Sequence, residues 1–186
     1  MCDHAAHAHT HLHCTIGEIQ TYFGNWEAVQ NALEQSYAIF QKIGVEGLLP
    51  EVERHWAELC LRQGELDEAF TRIQRSIDLA VSLELRMDEG ASRQVLACIQ
   101  LARGEAELAE QICRQSLQIF AEIDVQYDIG KGHRVLADCL HARGLRGKAQ
   151  NHLDQAIEIF TKLAAKPDLE VAEALRQSFK IFRNTM

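Results

Sequence analysis

The sequence predicts an all-α chain built as a stack of antiparallel helix pairs, and three observations carry that prediction. Glycines recur at Gly24, Gly64, Gly104 and Gly144, one every 40 residues. Around each of them the same residue types return at the same offsets. Within each stretch the apolar residues follow the helical spacing of three and four, with no β-type alternation. A fixed period of this length marks a stacked-repeat architecture, in which no unit hides its apolar face alone.

Composition sets the outer bounds. The 186 residues are 47% apolar with two prolines, enough for a sizeable core. No apolar run approaches the ~20 residues that cross a bilayer. Met1-Cys2-Asp3-His4 lacks the basic start and apolar middle of a secretory signal. A cytoplasmic chain with no membrane partner is expected. The formal charge of −8 argues against nucleic acid, whose phosphates require a basic stripe. Cys60, Cys98, Cys113 and Cys139 fall inside helical apolar patterns and read as small buried hydrophobes, not as a disulfide framework.

Residues 1–14 form a separate His-rich segment, with His4, His7, His9, His11 and His13 lying between Cys2 and Cys14. On a helix His7 would share a face with His11, and His9 with His13, a spacing that suits zinc, nickel or copper. A metal-handling role for His7, His9, His11 and His13 is therefore the alternative function. A frayed terminal tail is the competing reading, because no second cluster closes the coordination shell. No cofactor is expected.

The array proper spans 15–165. Each unit opens with a first helix, over 11–22, 51–62, 88–102 and 128–142. Ile16, Trp56, Leu96 and Leu136 stand eight before the glycine, followed by the small Gly17, Ala57, Ala97 and Ala137. A large residue beside a small one suits a helix whose neighbour approaches closely. The glycine then stops the helix and turns the chain, because a residue without Cβ takes positive φ at little cost.

A second helix follows, over 26–43, 66–83, 106–123 and 146–164. Its stripe runs through Val29, Ala69, Ala109 and Ala149, then Leu33, Ile73, Cys113 and Leu153. Ser36, Ser76, Ser116 and Ala156 come next, and Ile43, Leu83, Ile123 and Leu163 close it. These offsets trace one wide apolar helix face. Gly44–Pro50, Glu84–Met87 and Asp124–Tyr127 link the repeats. Lys166-Pro167-Asp168 ends the last second helix and starts another, since proline suits a helix's opening and not its interior. In 166–186, Ala172, Leu175, Phe179 and Phe182 form a stripe out of register with the repeats, as expected of a helix capping the end of a stack.

These residues resemble the tetratricopeptide repeat family. Gly64 with Trp56, Ala57, Ala69, Ile73 and Ser76 matches its pattern of large, small, glycine, alanine, large and small. So do Gly104 with Leu96, Ala97, Ala109, Cys113 and Ser116, and Gly144 with Leu136, Ala137, Ala149, Leu153 and Ala156. The unit at Gly24 is looser. The period resembles the ~40-residue variant of bacterial regulators, kinesin light chains and polarity adaptors. The resemblance implies a right-handed superhelical solenoid of antiparallel helix pairs, with four repeats and a C-terminal capping helix.

It further implies a non-enzymatic protein–protein interaction module whose first helices line a concave groove for a peptide or partner protein. The role implied is that of a bacterial regulatory or scaffolding domain, or of part of a larger signalling protein. The groove positions carried over are Glu18 and Tyr22; Glu51, Arg54, Glu58, Leu61 and Arg62; Gln94, Cys98 and Leu101; and Lys131, Arg134, Asp138 and His141. Their two-signed charges with apolar anchors suit a peptide bearing carboxylates and one apolar side chain. The opposing reading is that these charges pair with one another and only solvate the face. Self-association into a homo-oligomer is a further possibility.

Catalysis finds no support. Asp67 with Glu68, and Asp88 with Glu89, stand at helix starts, where acidic groups favour the macrodipole. No phosphate loop, zinc-protease helix or serine elbow is present. Gly130-Lys131-Gly132 reads as the turn that opens a helix. His133, His141 and His152, scattered over two helices, read as surface histidines, with a metal or acid–base trio as the lesser alternative, and Trp26 and Trp56 read as core residues.

Overall fold

In the computed structural model residues 26–181 are described, and they form eight α-helices, one 3-10 turn and no strand. The helices are α1 (Trp26–Ile43), α2 (Leu49–Gln63), α3 (Leu66–Ser82), α4 (Arg86–Ala102), α5 (Ala106–Glu122), α6 (Gln126–Ala142), α7 (Arg146–Lys162) and α8 (Lys166–Ile181); the turn is Glu46–Leu48. Each helix predicted within that span is there, with ends displaced by no more than two residues. The predicted helix over 11–22, the Gly24 turn, Glu18, Tyr22 and Phe182 lie outside the described residues, as do His7, His9, His11 and His13.

The links are shorter than the sequence predicts. Met87 and Tyr127 are already helical, which leaves three residues, 83–85 and 123–125, in each of those two links. A link this short closes by placing one residue in the left-handed region. Such residues occur every 20 positions: Gly44, Gly64, Glu84, Gly104, Asp124, Gly144 and Ala164. At Gly64 the amide donates to the Leu61 carbonyl and the next amide to Cys60. Glu84 repeats this with Val81 and Ala80, and Ala164 with Thr161 and Phe160. The orphan carbonyls of each helix end are satisfied in this way.

The chain divides between Asp88 and Glu89 into two compact units. In the first, Val29, Leu33, Phe40, Leu49, Val52 and Leu59 form a core on which Trp26, Tyr37 and Trp56 pack. The Arg72 guanidinium lies 3.9 Å from the Trp56 ring centroid. Arg72 also pairs with the buried Glu53 at 3.3 Å. The Ser76 hydroxyl donates to the Pro50 carbonyl at 2.6 Å, tying α3 to the start of α2.

In the second unit Ser116 repeats that bond to the Gly90 carbonyl at 2.7 Å, tying α5 to α4. Ala137, Leu153, Ala156, Phe160 and Ala172 form a buried cluster, covered by Leu175 and Phe179 of α8. That is the predicted cap. Gly130-Lys131-Gly132 is not a turn: it lies inside α6, and both glycines are buried. A Cβ on Gly130 would meet the Phe160 ring at 2.8 Å, and one on Gly132 would meet Leu117 at 2.6 Å, so each glycine admits a neighbouring side chain. The second-helix stripe also closes earlier than predicted. Ile43 and Leu163 are 46% exposed, because each stands where its helix ends and the chain turns away.

Candidate binding surface

Every fully described position of the expected groove falls on a first helix, α2, α4 or α6. In the first unit α2 carries Glu51, Arg54 and Glu58 one turn apart, so they share a face. Arg54 donates to Glu58 at 3.2 Å and lies 3.3 Å from His55 Nε2. His55 Nδ1 is 3.2 Å from Glu58, and its Nε2 is 3.6 Å from Glu51. Burial and the Arg54 charge push His55 down, but Glu51 and Glu58 together carry it above its ordinary value. Burial, with the charge of Glu51, holds the Asp88 carboxyl above its usual range against the pull of Arg54. The Arg54 side chain is only 15% exposed. Its Nε is buried without a hydrogen-bond partner. Leu61 is half-buried and Arg62 exposed.

In the second unit the expected positions have unequal fates. Gln94 is buried, and its amide donates to the Asp128 carbonyl at 2.7 Å, so it fastens α4 to α6. Cys98 and Leu101 are half-buried. Lys131 pairs with Asp128 at 3.3 Å and lies 5.4 Å from the Tyr127 ring centroid. Arg134 reaches Asp138 only at 3.8 Å. Burial pushes Asp138 up to about 6, against the opposing charge of Arg134. His141 is covered by α8: its ring stacks on Phe179 at 3.9 Å, with the planes 3° apart, and its Nδ1 is buried without a partner.

Sequence reasoning passed over two features and set a third aside. His55 joins the α2 network. A cleft of about 680 Å³ opens between α7 and α8, lined by Arg146, Gln150, Asn151, Asp154, Arg176 and Phe179. His133 of α6 and His152 of α7 meet, with their Nδ1 atoms 3.0 Å apart. The repeat itself held the signal for the third. Residues 19 apart across a helix pair face each other, as Glu53 and Arg72 do, and His133 and His152 occupy those places two repeats later. Burial pushes the Cys60 thiol up to about 11 and the Cys139 thiol up to about 12, which makes them poor nucleophiles. Among the described residues no three His, Cys, Asp or Glu side chains group to hold a metal ion.

No family model matches the chain, and no curated protein matches it. Solved structures do. The TPR domain of Arabidopsis FLU is 21% identical with a TM-score of 0.58, over 63% of this chain and 98% of that one. BtubC (BKLC) from P. vanneervenii is 13% identical with a TM-score of 0.65, over 91% of this chain and 79% of that one. A Rap protein complexed with competence and sporulation factor is 12% identical with a TM-score of 0.74, over 92% of this chain and 54% of the Rap chain. These likenesses show a tetratricopeptide-repeat-like fold.

Proposed function

We propose, on the premise of a tetratricopeptide-repeat-like fold, that the chain is a non-enzymatic interaction module. It holds a peptide or partner protein against the first-helix face of its repeats, as a regulatory or scaffolding domain of a bacterial protein. One observation carries the reading: polar groups at the expected groove positions are desolvated and left incompletely satisfied. Arg54 keeps a buried Nε with no acceptor. Asp138 is held at about 6 beside an arginine that reaches it only at 3.8 Å. Leaving such groups underpartnered costs stability, and folding alone does not require it. A partner supplying an acceptor to Arg54 or a donor to Asp138 recovers that cost on binding. The Rap structure complexed with a factor supports the reading by analogy of fold.

The test begins with a partner recovered on the wild-type chain, identified, and then titrated against variants. Arg54→Glu, Arg134→Glu and the double variant are each expected to weaken binding at least tenfold. Arg75→Glu, an exposed change on the second helix α3, is expected to leave it unaltered. Equal affinity of the double variant and wild type rejects the groove.

A further inference from the structure

The two histidines that face each other between α6 and α7 form a corner that the groove reading does not use. His133 and His152 lie with their ring planes 19° apart and their centroids 5.1 Å apart. The Nδ1 atoms, at 3.0 Å, are closer than the centroids, so the rings sit side by side with nitrogen facing nitrogen. Gln155, three residues beyond His152 on α7, brings its Oε1 to 3.1 Å from the same His152 Nδ1. The His152 Nδ1 atom thus has a second imidazole nitrogen and an amide oxygen as neighbours, at 3.0 and 3.1 Å. Ligands about 2.0–2.1 Å from a common metal ion stand at about this separation when they occupy adjacent coordination positions. We propose that His133, His152 and Gln155 form a binding site for a first-row transition-metal dication.

Three features of the surroundings fit that role. The two histidines come from different helices of one packed pair, so the site exists only in the folded chain. The charges of Arg114 and Glu110 act on His152 in opposite directions and are paired with each other at 2.8 Å, with Arg143 also on Glu110, so no carboxylate among the described residues joins the donor set. Both imidazoles are only half-buried, which leaves the remaining coordination positions to water. A nitrogen-rich, carboxylate-free set of this kind ranks copper(II) first, with zinc and nickel next, and excludes magnesium and calcium, which require oxygen ligands. In the free chain the 3.0 Å separation fits one Nδ1–H donating to the other Nδ1 lone pair, so that one ring is the Nδ1–H tautomer. For both Nδ1 lone pairs to face the ion, that ring exchanges its Nδ1 proton for one on Nε2 through solvent, and with both imidazoles neutral no net proton is released.

The experiment uses the full-length chain with His4, His7, His9, His11 and His13 each changed to Asn, so that the N-terminal histidines do not compete. Copper(II) chloride is titrated in at neutral pH while the histidine ring-proton NMR signals are followed. Paramagnetic broadening is expected to strike His133 and His152 together, well before His55 and His141. Zinc chloride is then expected to raise Tm, because the ion binds the folded chain and not the unfolded one. His133→Asn or His152→Asn removes that rise, and each weakens zinc by more than the roughly 10- to 100-fold that loss of an outer-shell partner costs. Gln155→Ala is expected to weaken it less. Broadening that reaches His55 or His141 first overturns the site, and so does a Tm rise that survives in both histidine variants. The broadening pattern of the chain that keeps both His133 and His152 decides the matter even if a variant fails to fold.

Discussion

At the scale of single residues, Asp138 shows what a binding surface costs. Its carboxyl titrates at about 6 in place of the ordinary 3.8, because burial disfavours the charged form more than Arg134 favours it. A group that binds its proton more tightly folded than unfolded loses stability as pH rises between those two values, and the loss is complete above the upper one. Asp138→Asn is therefore expected to stabilise the chain by about 1–2 kcal/mol at pH 7, after allowance for partial exposure, and by nothing at pH 3.5. Urea unfolding of both proteins at the two pH values checks this, and an equal effect at both pH values removes the desolvation account.

Gly90 makes a second point at the same scale. A Cβ there would lie 2.8 Å from the Phe120 ring. One repeat earlier the corresponding residues are Pro50 and Ala80, both fully buried, so the bulk has moved from the second helix to the first. Gly90→Ala is expected to cost about 1–3 kcal/mol by overpacking. Phe120→Ala costs about 3–5 kcal/mol by leaving a cavity. The double variant should lose at least about 1 kcal/mol less than the sum, because the new methyl enters the space the ring vacates. Additivity in denaturant unfolding would show that the two positions do not share that space.

At the scale of elements, the helices were legible in the sequence because apolar spacing and the Gly64, Gly104 and Gly144 stops point to the same boundaries. The other set of turns was harder to read. Glu84, Asp124 and Ala164 adopt the left-handed conformation without being glycine, so residue type gives no signal there and the links are easily drawn too long. Only the three-residue closure demands that conformation. It follows that Glu84→Gly should raise stability by about 0.5–1 kcal/mol, since the relief of left-handed strain outweighs the entropy glycine adds to the unfolded chain. Gly104→Ala should lower stability by a similar amount; thermal unfolding reads both, and a destabilised Glu84→Gly contradicts the strain argument.

The candidate surface was legible only in part, for a related reason. Spacing says which residues fall on one helix, and Glu51, Arg54 and Glu58 do stand on α2, with Lys131, Arg134 and Asp138 on α6. Spacing does not say which side chains a neighbouring helix will occupy. Gln94 is consumed by the Asp128 carbonyl and His141 by the Phe179 ring, and both partners lie more than 30 residues further along.

At the scale of the whole chain, each helix pair in a stack of repeats has a physical problem: its apolar face must be covered by the element that follows it. Here α8 answers it within the second unit. Ala172 is fully buried against Ala137, Leu153, Ala156 and Phe160, with Leu175 and Phe179 packed over the same cluster. An arginine at position 172 cannot be accommodated beside Phe160 without lifting α8, and lifting it uncovers that apolar surface and frees the His141 ring. Ala172→Arg is therefore expected to cost about 2–4 kcal/mol, within the range for forcing a charged group into a core. Amide exchange should quicken first along α8 and next in α6 and α7, which lie beneath it. The uncovered face should also drive concentration-dependent association, visible by light scattering. If α8 instead exchanges no faster than in wild type and the variant stays at its original mass, the helix does not serve as a lid on the cluster, and the second unit is held by its helix pairs alone.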